Sequence, residues 1–145
     1  MKIMFVCLGN ICRSPMLEAL LRLELELQGF ANFTVSSAGT MTDDDMIPTE
    51  EAITAMNEIG CDISEHTSRR ITREIVENTD LFVALTTEHG VALAFYHGAD
   101  PKKILVPGAG IPDPFGGPLS VYRQCRDLLL ETLPQLIEDI KALWE

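Results

Sequence analysis

The chain has 145 residues, 46% of them hydrophobic, which is ample for one well-formed core, so a single domain over residues 1–145 is expected. Its 22 acidic and 11 basic residues leave a formal net charge of −11. This argues against a nucleic-acid partner, which would call for clustered lysine and arginine, and requires any anion site to be a local positive pocket acting within about a Debye length.

The first run, residues 3–8, is apolar, partly β-branched and aromatic, and ends at Gly9-Asn10, as a buried parallel strand does. It is too short for a secretory signal, and no stretch approaches the roughly 18 apolar residues of a membrane span. A cytoplasmic protein without a membrane partner is expected, its four cysteines kept reduced or used in chemistry. Ser14-Pro15 offers an N-cap hydroxyl and an N1 proline, and Leu17, Leu20, Leu21 and Leu27 follow near helical spacing until Gly29.

Further along, residues 33–37 read as a strand, 49–59 as a helix closed by Gly60, and 80–85 as a second buried strand. A helix over 87–96 and a short strand over 103–106 come next. The Pro- and Gly-rich stretch 107–118 reads as a functional surface loop. Residues 120–144 place Val121, Cys125, Leu128, Leu129, Leu136, Ile140 and Leu143 on one helical face, and Pro134 is expected to kink or break that helix. Strands separated by helices imply right-handed crossovers and a parallel sheet covered on both faces, a three-layer α/β domain.

In such a sheet, ligands bind beyond the carboxyl ends of the strands, where the loop from Cys7 to Ser14 leads into a helix. Backbone N–H groups in a tight loop and the positive end of the helix make an anion cradle, and Arg13 adds a planar fork of donors. The same field would stabilise a thiolate at Cys7 and so make it a nucleophile. From that pair alone, a small core cysteine ending a strand, with Arg13 on the surface, is an equal alternative.

The whole segment Val6-Cys7-Leu8-Gly9-Asn10-Ile11-Cys12-Arg13-Ser14-Pro15 closely resembles the phosphate-binding loop of the low-molecular-weight protein tyrosine phosphatases, and the likeness extends over essentially the whole chain. The resemblance implies a four-stranded parallel sheet flanked by helices, with the phosphate-binding loop after the first strand. It also implies a cysteine-dependent phosphatase needing no metal and no cofactor, acting on phosphorylated proteins; a monomer or weak dimer is expected. Leu8, Gly9, Asn10, Ile11, Cys12 and Ser14 would surround the phosphate, with Cys7 as nucleophile and Arg13 as clamp.

Displacement at phosphorus needs an acid for the leaving group, and Asp113-Pro114-Phe115 resembles the family's general-acid loop, with Pro112 and Pro114 restricting its backbone. An aspartate before proline is also a common turn former. By resemblance, Ser37 and His66 would brace the phosphate loop together with Asn10 and Ser14; a partly exposed loop histidine is the lesser reading of His66. In the resembling family a pair equivalent to Cys7 and Cys12 forms a reversible disulfide; simple packing of the loop is the other reading of Cys12. Cys61 and Cys125 are expected to fill the core, and His89 and His97 receive no role.

Phe115 would form one wall for the substrate, but Gly116 follows it and no tryptophan occurs in residues 41–48. The run from Asp113 to Gly117 resembles a bacterial branch that includes protein-arginine phosphatases, whereas Ile11 resembles the tyrosine-directed enzymes. Phosphotyrosine is therefore expected, with phosphoarginine the alternative. Arsenate reduction on the same scaffold would need relay cysteines, and residues 80–90 contain none. A module that merely bound phosphate would not need Cys7, Arg13 and Asp113 together.

Overall fold

The computed structural model describes residues 1–9, 13–30, 32–107 and 111–144. In chain order it contains β1 (Lys2–Cys7), α1 (Arg13–Leu27), β2 (Thr34–Gly39), α2 (Glu50–Asn57), α3 (Arg73–Glu77), β3 (Leu81–Ala84), α4 (Thr87–Tyr96), a 3-10 turn at Pro101–Lys103, β4 (Ile104–Leu105) and α5 (Leu119–Trp144). The strands form one parallel sheet in the order β2-β1-β3-β4.

β1 is central, which is why it is apolar almost throughout. Ile3, Phe5 and Cys7 face a core filled from α1, α2 and α5, whereas Met4 and Val6 face a second cluster with Leu93 of α4 and Ile75 and Val76 of α3. Full burial of side chains such as Phe5, Leu17 and Phe82 stabilises the fold by about 1.5–3 kcal/mol each. The layers are therefore helices, sheet and helices, as the alternation of strands and helices predicts.

Several boundaries differ from expectation for physical reasons. α1 has already begun at Arg13, so Ser14 and Pro15 lie inside its first turn rather than at the cap and N1. The proline is tolerated because the first four N–H groups of a helix have no intrahelical acceptor. Pro134 sits inside an unbroken α5, whose buried residues Leu129, Leu133, Leu136, Ile137 and Ile140 carry the packing across it. α3 and the 3-10 turn were not expected, being too short to show a periodicity. Side-chain caps start them, with Thr72 Oγ1 accepting from Ile75 N–H and Asp100 Oδ1 from Lys102 N–H.

β2 is an edge strand whose outward carbonyls are all engaged. Val35 accepts from Arg22 Nη2 at 2.6 Å, Ser37 from Arg69 Nε at 3.1 Å, and Gly39 from Ile71 N–H at 2.9 Å. On its inner side β2 extends the end of β1, since Thr40 N–H donates to Cys7 O at 2.9 Å and Met41 N–H to Leu8 O at 3.0 Å. Gly39, paired with Cys7, allows this approach; a Cβ there would lie 2.7 Å from both Leu8 O and Thr42 Cγ2.

An alanine at Gly39 must therefore push the Cys7–Gly9 backbone aside. Overpacking of this kind costs about 1–3 kcal/mol, so Gly39→Ala should lower the thermal unfolding midpoint by about 5 °C in calorimetry.

Glu58, capping α2, ties it to α5 by accepting from Arg123 Nη2 at 2.6 Å and Arg126 Nη1 at 2.8 Å. Hydrogen bonding to Arg123, helped by Arg126, holds its carboxyl at about 2, below the ordinary 4.5. Because the folded value is the lower one, this contribution is complete above the ordinary value and fades as pH falls towards 2. Unfolding curves of wild type and Glu58→Gln should thus differ at neutral pH and converge as the pH drops from 4.5 to 2.

Candidate active site

The site begins where β1 ends. Cys7 is buried at 2% exposure, and its Sγ lies 2.9 Å from the Oγ of Ser14 in the first turn of α1. The end of β1 and the first turn of α1 thus place a sulfur against a hydroxyl that can donate to a thiolate, near the positive end of the helix. Leu8 and Gly9 form the rim beyond it. The expectations for Asn10, Ile11 and Cys12 fall on positions outside the described residues.

Arg13 is also buried, at 4% exposure, and its surroundings come from the far end of the sequence. Ile111 N–H donates to Leu85 O, just past the end of β3, at 2.7 Å, and Ile111 O accepts from Arg13 Nη1 at 2.8 Å. Arg13 Nη2 stands 3.5 Å from Asp113 Oδ2. Arg13 Nε is sealed without a hydrogen-bond partner among the described residues. A buried guanidinium that lines the cavity over Cys7 is suited to donate hydrogen bonds to an oxyanion there.

Asp113 is half exposed, and its two carboxylate oxygens do different things. Oδ1 accepts from Phe115 N–H at 3.0 Å, closing a local turn between Pro112 and Gly116, while Oδ2 faces Arg13. The two sequence readings of this aspartate, turn former and site carboxylate, therefore describe opposite sides of one side chain. Gly116 completes the turn with a φ of +83°, a conformation that favours glycine.

Cys7, Leu8, Gly9, Arg13, Met41, Asp113 and Phe115 together line a cavity of about 140 Å³. It holds a sulfur, a guanidinium and a carboxylate between apolar walls, an arrangement suited to nucleophilic attack on an anionic centre with proton delivery to the departing group. Ser37 lies buried in β2, paired with Phe5, and His66 is half-buried in the connection between α2 and α3, its N–H donating to Ile63 O. Neither is among the side chains lining the cavity. Cys125 is in the core, and Cys61 packs against it, its thiol pushed up chiefly by burial.

Two neighbours escaped the sequence reading. Met41 carries no motif and becomes a wall because β2 extends the end of β1. His89 is buried in the first turn of α4, with Nδ1 sealed and unpartnered. It lines a second cavity, of about 640 Å³, that shares Leu8, Arg13, Met41 and Asp113 with the first. Burial and then the charge of Arg13 push its imidazole below the ordinary range, against the opposing pull of Asp113 and Glu88. Its place just past the carboxyl end of β3 was the signal available in the sequence.

Among the described residues no group of three or more His, Cys, Asp or Glu side chains is placed to hold a metal ion, and no helix is long and apolar enough to cross a membrane.

Residues 2–143 match the family model described as low molecular weight phosphotyrosine protein phosphatase. The chain is 38% identical over 148 residues to a protein-arginine-phosphatase of Bacillus subtilis (strain 168), with 97% of each chain covered. It is 35% identical over 125 residues to an arsenate reductase of Staphylococcus aureus (strain Newman), covering 86% of this chain and 87% of that one. The fold is similar to the crystal structure of a low molecular weight protein tyrosine phosphatase from T. tengcongensis, with a TM-score of 0.88, 29% identity, and 96% and 99% of the two chains covered. A family model that spans all but the ends of the chain, matched to a four-stranded parallel sheet with a cysteine at the end of its central strand, leaves one assignment: the chain belongs to the low molecular weight phosphotyrosine protein phosphatase family and is a cysteine-based protein phosphatase.

Proposed function

We propose that this phosphatase hydrolyses phosphotyrosine on cytoplasmic proteins through a cysteinyl-phosphate at Cys7, acting as a single domain and as a monomer or weak dimer. The observation that carries the mechanism is the convergence of Cys7 Sγ, 2.9 Å from Ser14 Oγ, with an Arg13 guanidinium that is itself 3.5 Å from the Asp113 carboxylate. The Cys7 thiolate attacks phosphorus, and an S–P bond forms as the bond to the phenolic oxygen breaks. Asp113 gives its proton to that oxygen. Water then attacks phosphorus, Asp113 takes the proton, the S–P bond breaks, and thiolate and inorganic phosphate are released. Arg13 and the loop of Leu8, Gly9, Asn10, Ile11 and Cys12 hold the equatorial oxygens, while Ser14, Ser37 and His66 support that loop.

The choice of phosphotyrosine rests on the walls. Leu8, Met41 and Phe115 give the cavity over Cys7 apolar sides, which suit a flat ring, and Ile11 adds another apolar side chain in the sequence of the loop. Phosphoarginine is the second reading, favoured by the 38% identity to the B. subtilis protein-arginine-phosphatase and by the run from Asp113 to Gly117.

Cys7→Ser should abolish turnover of p-nitrophenyl phosphate while leaving phosphate binding detectable by calorimetry; retained turnover would remove Cys7 from the mechanism. Asp113→Asn should lower kcat on a phosphotyrosine peptide by roughly 10²–10⁴, and less on p-nitrophenyl phosphate, whose leaving group scarcely needs a proton. Parallel assays of phosphotyrosine and phosphoarginine peptides decide the substrate. A higher kcat/KM on phosphotyrosine is expected, and a strong preference for phosphoarginine in wild type would reverse that choice without touching the mechanism.

A further inference from the structure

The larger cavity is not used by the reaction described above. It adjoins the smaller one, with which it shares four lining residues, and at about 640 Å³ against 140 Å³ it offers far more room than lies over Cys7. A phosphorylated side chain entering over Cys7 leaves most of it unfilled, and a polypeptide substrate brings neighbouring side chains to that opening.

Its outer wall is one face of α4, where Glu88, Ala92 and Tyr96 stand four residues apart and so in line. Glu88 is exposed and makes no ion pair among the described residues. Ala92 leaves a low floor, and Met41 and the Tyr96 ring flank it, both largely exposed. Tyr96 is held edge-on against Phe95, with ring centroids 5.0 Å apart. An apolar channel with a carboxylate and an aromatic face matches a long aliphatic stem ending in a cation.

Charge points the same way. Among the described residues, Arg13, which lines the cavity, is held by Ile111 O and Asp113, and Arg70 acts by its charge on His97, another lining residue. Against them stand Glu88, Asp113 and, once substrate is bound, the phosphoryl group, on a protein of net charge −11. The His89 imidazole, sealed at Nδ1, is pushed below its ordinary range by burial and by Arg13, which disfavours its charged form.

Resting on the reading of the adjoining pocket as a protein-phosphatase site, we propose that this cavity is a subsite for a lysine or arginine side chain of the substrate protein, near the phosphorylated residue in its sequence. Glu88 recognises the cation, and Ala92, Met41 and Tyr96 hold the stem. Glu88 and Tyr96 are specificity residues here and take no part in the chemistry.

The test uses the intact enzyme and phosphopeptides with lysine or norleucine scanned over about three positions on either side of the phosphorylated residue, each residue of extended chain spanning about 3.3–3.6 Å. Norleucine keeps the stem and removes the charge. At one or more positions kcat/KM should favour lysine by about five-fold at low salt, as an exposed ion pair with an aromatic neighbour provides. Glu88→Gln should bring that ratio close to one, Glu88→Lys should invert it, and Tyr96→Ala should weaken binding of both peptides. Hydrolysis of p-nitrophenyl phosphate, which brings no neighbouring side chain to Glu88 or Tyr96, should be the same in all four proteins. Equal use of lysine and norleucine peptides at every position, with p-nitrophenyl phosphate still hydrolysed, overturns the subsite alone. A uniform loss on all substrates in Glu88→Gln also overturns it, by showing a structural role. Absence of turnover on p-nitrophenyl phosphate in wild type brings down the phosphatase reading and the subsite together.

Discussion

The arrangement of the site follows from the need to satisfy one buried cation. A guanidinium cannot shed its charge, and removing it from water costs several kcal/mol unless acceptors are supplied. Arg13, 4% exposed, obtains them from Ile111 O and the Asp113 carboxylate. Ile111 is in turn anchored on Leu85, at the end of the strand beside β1. The sheet therefore sets where the arginine's acceptors stand, and the arginine sets where the aspartate stands relative to the sulfur. Residues about a hundred positions apart in sequence are brought into register by two hydrogen bonds and one charge pair.

The same economy reconciles an acidic protein with an anionic substrate. Overall charge governs long-range approach and is screened beyond about a Debye length, whereas a buried arginine and the start of a helix act at contact distance in a medium of lower dielectric. The relatives of this chain include a protein-arginine-phosphatase and an arsenate reductase, so the scaffold is compatible with several chemistries. Among the described residues, Met41 and Phe115 are the exposed apolar side chains that line the cavity with Leu8.

Much of this was legible in the chain. The four strands and the long helices were found because parallel strands buried on two faces are uniformly apolar and covering helices keep a periodicity; α4 coincides with its expected span of Thr87–Tyr96. Shifts of one or two residues arose at helix ends, as where Thr49 caps α2 from outside it, and α3 was missed because five residues cannot show a stripe. Pro134 was read by its local cost, which the packing of α5 outweighs. Cys7 and Arg13 were assigned through the resemblance of residues 6–15 to the family's phosphate-binding loop, and Asp113 through that of Asp113-Pro114-Phe115 to its general-acid loop. Met41 and His89 were not, since a methionine becomes a pocket wall, and a histidine a buried neighbour of arginine, only through tertiary placement.

The engaged carbonyls of β2 also bear on how this enzyme meets other proteins. Many domains recognise peptides by adding them as an extra strand to an open sheet edge, an affinity that depends on backbone and is largely indifferent to sequence. Here Arg22, Arg69 and Ile71 occupy the acceptors along one edge, and β4 at the other edge is two residues long. The sheet has little to offer an incoming backbone. A partner that came as an added strand would find those acceptors already taken, a constraint that the fold places on its edges and not on the mouth of the pocket.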